Sequence, residues 1–284
     1  MTIEAKDSML APVAQTPAGR PRRSRTEAAL HDIADGTRRW WMWTAMSWQD
    51  ILQRYRGSVL GPFWLTLSMA IAILALGFLY SELFRLDVRT YLPYLCIGLV
   101  IWTLIASLLQ DACSTFIGAE QMVRQIKLPY SVHAYRVVWR NLIIAAHNIV
   151  VYVGVVILFD LKLSLVSLIA VPGLLLILFN GFWVSVMLGM ICSRFRDVPQ
   201  IIASLIQIAF FVTPIIWSPD LLEHRIGFAH WNPLFGFIDL MRAPLLNQYP
   251  HPTSWITTLL VTAIGGTVSF LFFARFRARI PYWA

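Results

Sequence analysis

Residues 54–89 read RYRGSVLGPFWLTLSMAIAILALGFLYSELFRLDVR, and no charge occurs from Gly57 to Ser81. Arg54 and Arg56 lead through Gly57 and Gly61 into Pro62 and Trp64, and charge returns only at Glu82, Arg85, Asp87 and Arg89. A buried helix of a water-soluble domain rarely needs so long an apolar run. The hydrocarbon core of a bilayer does, because crossing it takes about 20 apolar residues at about 1.5 Å each. The stretch predicts a helix that enters a membrane from a basic side.

The rest of the chain repeats the pattern. Of its 284 residues, 58% are hydrophobic and 13% charged, against about 25% charged in ordinary globular domains. Apolar runs at about 59–81, 91–118, 137–159, 164–193, 198–218 and 254–274 predict an all-α polytopic membrane protein with six transmembrane helices. With the N-terminus inside, eighteen of the twenty-three Lys and Arg residues fall in inner segments. That bias places both termini in the cytoplasm. The net charge of +8 is then topogenic and does not imply a nucleic-acid partner. Cys96, Cys113 and Cys192 lie in apolar stretches without metal-like spacing and read as small core residues.

Three stretches do not span. Residues 1–36 are polar and basic, with Arg20, Arg22, Arg23 and Arg25 and no apolar segment of a signal peptide behind them; they read as a disordered cytoplasmic tail. Residues 37–56 form an amphipathic helix on which Trp41, Ala45, Trp48, Leu52 and Tyr55 share a face, while Gln49, Asp50, Gln53 and Arg54 lie away from it. So many tryptophans suit the headgroup region, and packing on the bundle is the alternative. Residues 57–284 hold the six spans, with a cytoplasmic loop at 119–133 punctuated by Pro129 and an outer segment at 218–253. The outer segment is apolar but broken by Pro219, Pro233, Pro244, Pro250 and Pro252, and reads as short helices against the outer face.

Enzymatic constellations are missing. A Walker A loop needs Gly-Lys followed by Ser or Thr, and Lys6, Lys127 and Lys162 follow Ala5, Ile126 and Leu161. No HExxH or GxSxG occurs, and His224 and His230 read as surface residues. No catalytic or metal-ligating residue is assigned. Two roles fit Asp111: a proton relay with His147, or an ion pair near the inner surface with a basic residue such as Arg140.

The segments YRGSVLGPFWLTL (55–67), IKLPYSVHAYRVVWRN (126–141), SRFRDVPQIIASLIQIAFFVTPIIW (193–217) and NPLFGFIDLMRAPLL (232–246) occur in that order. Together they resemble the permease subunit of bacterial polysaccharide ABC exporters, which move lipid-linked O-antigen, capsule or teichoic-acid chains out of the cytoplasm. The resemblance covers about 38–280. It implies an inner-membrane homodimer over two copies of a separate ATPase subunit, which would bind the ATP and Mg that this chain lacks a site for. It also implies that Trp41, Trp48, Leu52 and Tyr55 mark an interfacial helix. Glu120, Gln121, Met122, Val123, Arg124, Gln125, Ile126, Lys127, Leu128 and Pro129 would form the element that seats on the ATPase, and residues 218–253 a periplasmic gate.

Gly57, Gly61 and Pro62 then form a hinge where an in-plane helix turns upright. Asp197 and Pro199 start the fifth span, and Pro214 is expected to kink it. Aromatic faces stack on sugars, so Phe63, Trp64, Tyr80, Trp102, Phe116, Tyr135, Trp139, Phe210, Phe211 and Trp217 are candidates to line a channel. Other possibilities are an ABC permease of the same architecture for a drug or lipid, a proton-coupled carrier using Asp111, and a membrane-embedded glycosyltransferase.

Overall fold

The computed structural model describes residues 24–61, 63–219 and 231–283, which are helical and contain no strand. The helices are α1 (Arg25–Arg38), α2 (Trp40–Arg54), α3 (Phe63–Phe84), α4 (Val88–Cys113), α5 (Glu120–Gln125), α6 (Ser131–Phe159), α7 (Ala170–Arg194), α8 (Val198–Val212), α9 (Pro233–Leu245), α10 (Pro252–Phe276) and α11 (Ile280–Trp283). Five helical stretches among the described residues are long and apolar enough to cross a bilayer: Phe63–Phe84, Val88–Cys113, Ser131–Phe159, Leu165–Arg194 and Pro252–Trp283.

The hub is α4. In its most apolar stretch 72% of residues are enclosed, against 17% in α3, and α3, α6, α7, α8 and α9 all pack on it. A helix apolar all round must be buried or lie in lipid, and α4 and α3 divide those two outcomes.

The expected fifth span, 198–218, is a shorter helix. α8 ends at Val212 after 15 residues, about 22 Å against a hydrocarbon core of about 30 Å. Pro214 does not kink a continuing helix; it ends one. Its ring drives the preceding residue out of the helical region, and Thr213 sits at φ −85° and ψ 136°. The freed carbonyls are met by side chains. Pro214 O accepts from Arg242 Nη1 at 2.9 Å, Ile216 O from the Tyr91 hydroxyl at 2.7 Å, and Trp217 O from the Tyr94 hydroxyl at 3.1 Å. Non-helical backbone at membrane depth survives only when the protein satisfies it in this way.

Arg242 was expected in an outer loop but is only 3% exposed. Its guanidinium lies 4.0 Å from the Tyr94 ring centroid and 5.6 Å from that of Phe235. It belongs to α9, which packs against α4, α7 and α10. Residues 220–230 of the expected gate segment, with His224 and His230, fall outside the described residues.

Residues 25–36 do not continue a disordered tail. They belong to α1, which opens with a capping box: Ser24 Oγ accepts from Glu27 N at 3.2 Å and Ser24 N donates to Glu27 Oε2 at 2.9 Å. Asp32, 5% exposed, accepts from the N–H groups of Tyr130 and Ser131 at 3.2 and 3.0 Å, so α1 caps the start of α6. Arg20, Arg22 and Arg23 lie outside the described residues.

Between α2 and α3 the chain turns through Gly57 at φ 83° and Gly61 at φ 55°, both in the left-handed region, while Pro62 is outside the described residues. A methyl group at either glycine would meet nothing within 4 Å. The cost of a side chain there is therefore conformational alone. Gly57→Val should destabilise the protein by about 1–2 kcal/mol and Gly57→Asn by clearly less. Thermal unfolding in detergent checks the order, and equal losses would mean that the turn does not need the left-handed conformation.

Candidate functional site

At the basic end of the bundle α1 and α2 pack on α6, and α11 packs on α5 and α7. The face of α2 bearing Trp41, Trp48 and Leu52 is open, with the three side chains 59%, 50% and 45% exposed, and Tyr55 is half-buried. The opposite face packs on α6. Ser47 and Ile51 are buried there, the Ser47 hydroxyl donates to Arg136 O at 2.9 Å, and Trp43 stacks on Tyr135 and meets Trp139 edge-on. The apolar side chains of this helix are thus presented away from the protein, on the face expected to meet the headgroups.

The polar side of α2 carries one charge into the bundle. The Asp50 carboxylate receives Arg136 through both of its oxygens and Arg140 Nη1 at 2.8 Å. Arg140 Nη2 also donates to Asp111 at 2.8 Å, and Asn141 Nδ2 donates to the same oxygen at 2.8 Å. Two arginines of α6 thus hold one carboxylate from α2 and one from α4, with the four charged side chains between 12% and 21% exposed. Burial pushes the Asp50 carboxyl up, but Arg136 and Arg140 outweigh it and hold the group below the ordinary carboxylate range. Of the two roles open to Asp111, the ion pair with Arg140 is the one present. His147 Nδ1 is engaged 2.8 Å from its own helix's Ile143 O.

The expected coupling element is a short helix with an extended exit. After a 3₁₀ turn at Ile117–Ala119, α5 runs Glu120–Gln125, and Ile126 turns extended at φ −122° and ψ 127°. Val123 is buried beside α11, whereas Gln121, Arg124, Gln125, Ile126 and Lys127 are exposed and Met122, Leu128 and Pro129 half-buried. Glu120 pairs with Arg124 at 2.9 Å on the surface, a contact of small energy. A cleft of about 490 Å³ separates this element from α1, lined by His31, Asp35 and Arg39 on one side and Arg124, Lys127 and Pro129 on the other.

The ten candidate aromatics do not form one lining. Trp102 on α4 and Phe210 on α8 lie 5.8 Å apart by ring centroids, and Phe210 meets Phe211 at 5.3 Å. Trp217 Nε1 donates to Phe211 O at 3.3 Å. With Gln207, the Trp102, Phe210 and Phe211 side chains border an open recess of about 550 Å³. Phe63 and Trp64 are more than half exposed at the start of α3. Tyr80 stacks on Phe84. Tyr135 and Trp139 pack on Trp43, and the Tyr135 hydroxyl shares a 2.8 Å hydrogen bond with Thr37. Phe116 is 0% exposed among Val186, Met190, Phe273 and Ile280. It lines no open surface, because Gly189 lets its ring pack directly on the α7 backbone.

The residues that sequence reasoning passed over are Asp32, Asp50 and Arg242. The capping box at Ser24–Glu27 was a legible sign of α1. Asp50 was seen as lying off the tryptophan face, but its partners stand 86 and 90 residues away. At neutral pH, Asp50→Asn should cost about 2 kcal/mol, because it leaves two part-buried guanidiniums under-compensated. Since the folded state depresses the Asp50 pKa, this contribution is full above the ordinary carboxylate pKa and fades as pH falls through the depressed one. The gap between wild type and variant should therefore begin to narrow below about pH 4 and close only below the depressed pKa; a gap unchanged by pH would show that the charge pairing is not its source.

A family model described as ABC-2 type transporter matches residues 42–246, from the first turn of α2 to just past the end of α9. Two proteins from Klebsiella pneumoniae, each named O-antigen export system permease protein RfbA, are 23% and 24% identical over 224 and 227 residues, covering 76% of this chain and 86% of each relative. A Myxococcus xanthus protein of the same name is 23% identical over 208 residues, covering 72% of this chain and 78% of its own length. With five long apolar helices, α4 at their hub among them, and the family match running through most of the chain, this protein belongs to the ABC-2 type transporter family.

Proposed function

We propose that this chain is the transmembrane subunit of an ATP-driven exporter that carries lipid-linked polysaccharide of the O-antigen or capsular kind across a bacterial inner membrane. It acts as a homodimer with two copies of a separate ATPase, both termini cytoplasmic. The observation that carries the proposal is the bare face made by α8 with Trp102 of α4. No residue of α8 is buried, and Trp102, Gln207, Phe210 and Phe211 border an open recess on it. A second copy facing this surface would enclose a path walled by aromatic rings and an amide with few fixed charges. Such a wall stacks on sugar rings without holding them. The names of the Klebsiella and Myxococcus relatives point to the same cargo.

ATP binding would bring the two ATPases together, push the Glu120–Pro129 element, and move α6 with it through Pro129 and the Asp32 cap. The Arg136–Asp50 and Arg140–Asp111 pairs would pass that motion to α2 and α4. The hinge at Gly57 and Gly61 lets α2 shift against α3. Asp111, engaged by Arg140 and Asn141, has a structural part in this scheme.

In a host that depends on this chain, surface polysaccharide appearing after induction reads export directly. Phe210→Ala combined with Phe211→Ala should lower its rate by roughly fivefold or more, while Asp111→Asn should leave the pH dependence of export unchanged. Export unaffected by loss of both rings would remove the α4–α8 face from the path. A pH profile shifted by Asp111→Asn would favour a proton-coupled carrier.

A further inference from the structure

A second feature of the basic end is used by no part of this transport scheme. Arg25 at the start of α1 and Arg275, Arg277 and Arg279 at the end of α10 line one crevice of about 480 Å³, together with Ala28, Ala274, Phe276 and Ala278. Arg25 and Arg275 are 250 residues apart in sequence, and packing of α1 on α10 brings them together.

Like charges gathered in this way repel. Of the four guanidiniums, only Arg277 has a described carboxylate within 4.0 Å, Asp32 at 3.8 Å, and it also donates to Ala28 O. Arg275 and Arg279 stand over the Phe276 ring at 5.6 and 5.5 Å. Glu27, the acid in the first turn of α1, is turned to the Ser24 N–H and does not line the crevice. The carbonyl end of α10 supplies about half a negative charge, and the amide end of α1 offsets it with about half a positive one. With Asp32 counted, the crevice keeps close to three positive charges uncompensated among the described residues.

Topology alone explains arginines near the end of a span. It does not explain a helix folded back so that a fourth arginine joins them. The setting selects the counter-charge. The crevice lies where α10 leaves the apolar zone and is lined by Phe276, whose ring meets that of Trp283 at 5.8 Å between centroids. Aromatic side chains of this kind sit at headgroup depth. Toward the membrane interior along α10, Gly266, Phe270 and Phe273 border an apolar groove of about 410 Å³ between α6, α7 and α10, of the composition that an acyl chain wets.

We propose that Arg25, Arg275, Arg277 and Arg279 form a binding site for the phosphate headgroup of an anionic membrane phospholipid, which pins α1 to the end of α10. Basic pockets at the cytoplasmic ends of spans bind such headgroups. The site is separate from the aromatic face, and its test does not depend on what is exported.

The test is native mass spectrometry of the purified full-length chain, titrated with dioleoyl phosphatidylglycerol and with dioleoyl phosphatidylcholine. Each arginine near an anionic headgroup is worth about fivefold in affinity. Phosphatidylglycerol should therefore bind about tenfold or more tightly than phosphatidylcholine, and R275Q/R279Q should bring the two within about twofold. R275K/R279K should keep the preference, and inorganic phosphate at equal concentration should not displace the lipid. Equal binding of the two lipids overturns the proposal, as does a preference that survives R275Q/R279Q. Displacement by inorganic phosphate would assign the crevice to a soluble anion instead. Should the double variant fail to fold, Arg25→Gln, on an exposed helix end, is read in the same way.

Discussion

Arg136 and Arg140 stand one turn apart on α6 and hold carboxylates from two other helices, Asp50 on α2 and Asp111 on α4. Removing charges from water is costly, and such a cluster persists only when its members are mutually paired and hydrogen-bonded. Here Asn141 adds a donor to Asp111, and Ser47 ties the α6 backbone to α2 beside the cluster. Because breaking any member strands the others, α2, α4 and α6 are constrained to move together at this end. The apolar face of α2 can then rest at the membrane surface while its polar face is held to the bundle. The expected coupling element leads into this same helix through Pro129.

The opposite constraint applies where α8 ends. A bilayer offers no water to carbonyls released by Pro214, so the protein supplies partners from α4 and α9: Tyr91, Tyr94 and Arg242. That requirement explains why a charged residue is buried in α9 and why α9 is drawn into the bundle. It also explains Gly98, where an added methyl group would lie 3.2 Å from Ile215 O. A break in α8 near the end of the aromatic face leaves its outer portion free of helical register, and the chain continues there into the proline-rich segment.

Much of this was legible in the sequence because bilayer physics is written in composition. Uninterrupted apolar runs located the long helices, and the tryptophan face of α2 was readable from periodicity. The Asp111–Arg140 pair was one of two options that charge in an apolar span allowed. The rest depended on distance in three dimensions. Asp50 declares no partner within its own helix, and Phe116 looks like any membrane aromatic until Gly189 is seen beneath it. Arg242 in a proline-rich stretch has the sequence character of an outer loop, and the carbonyl of Pro214 gives it a reason to be inside. The helix at 25–38 was hidden by its polar composition, although its capping box stood in plain view.

The account rests most heavily on this chain being half of an ATP-driven machine. Purification of the tagged protein from its native membranes in mild detergent, with identification of what accompanies it, tests that directly. A stoichiometric ATPase subunit should come with the wild-type chain and be lost when the exposed tip of the coupling element is altered, as in Arg124→Glu combined with Lys127→Glu. Wild-type chain that emerges without an ATPase, from membranes whose other exporters stay intact, would contradict the account.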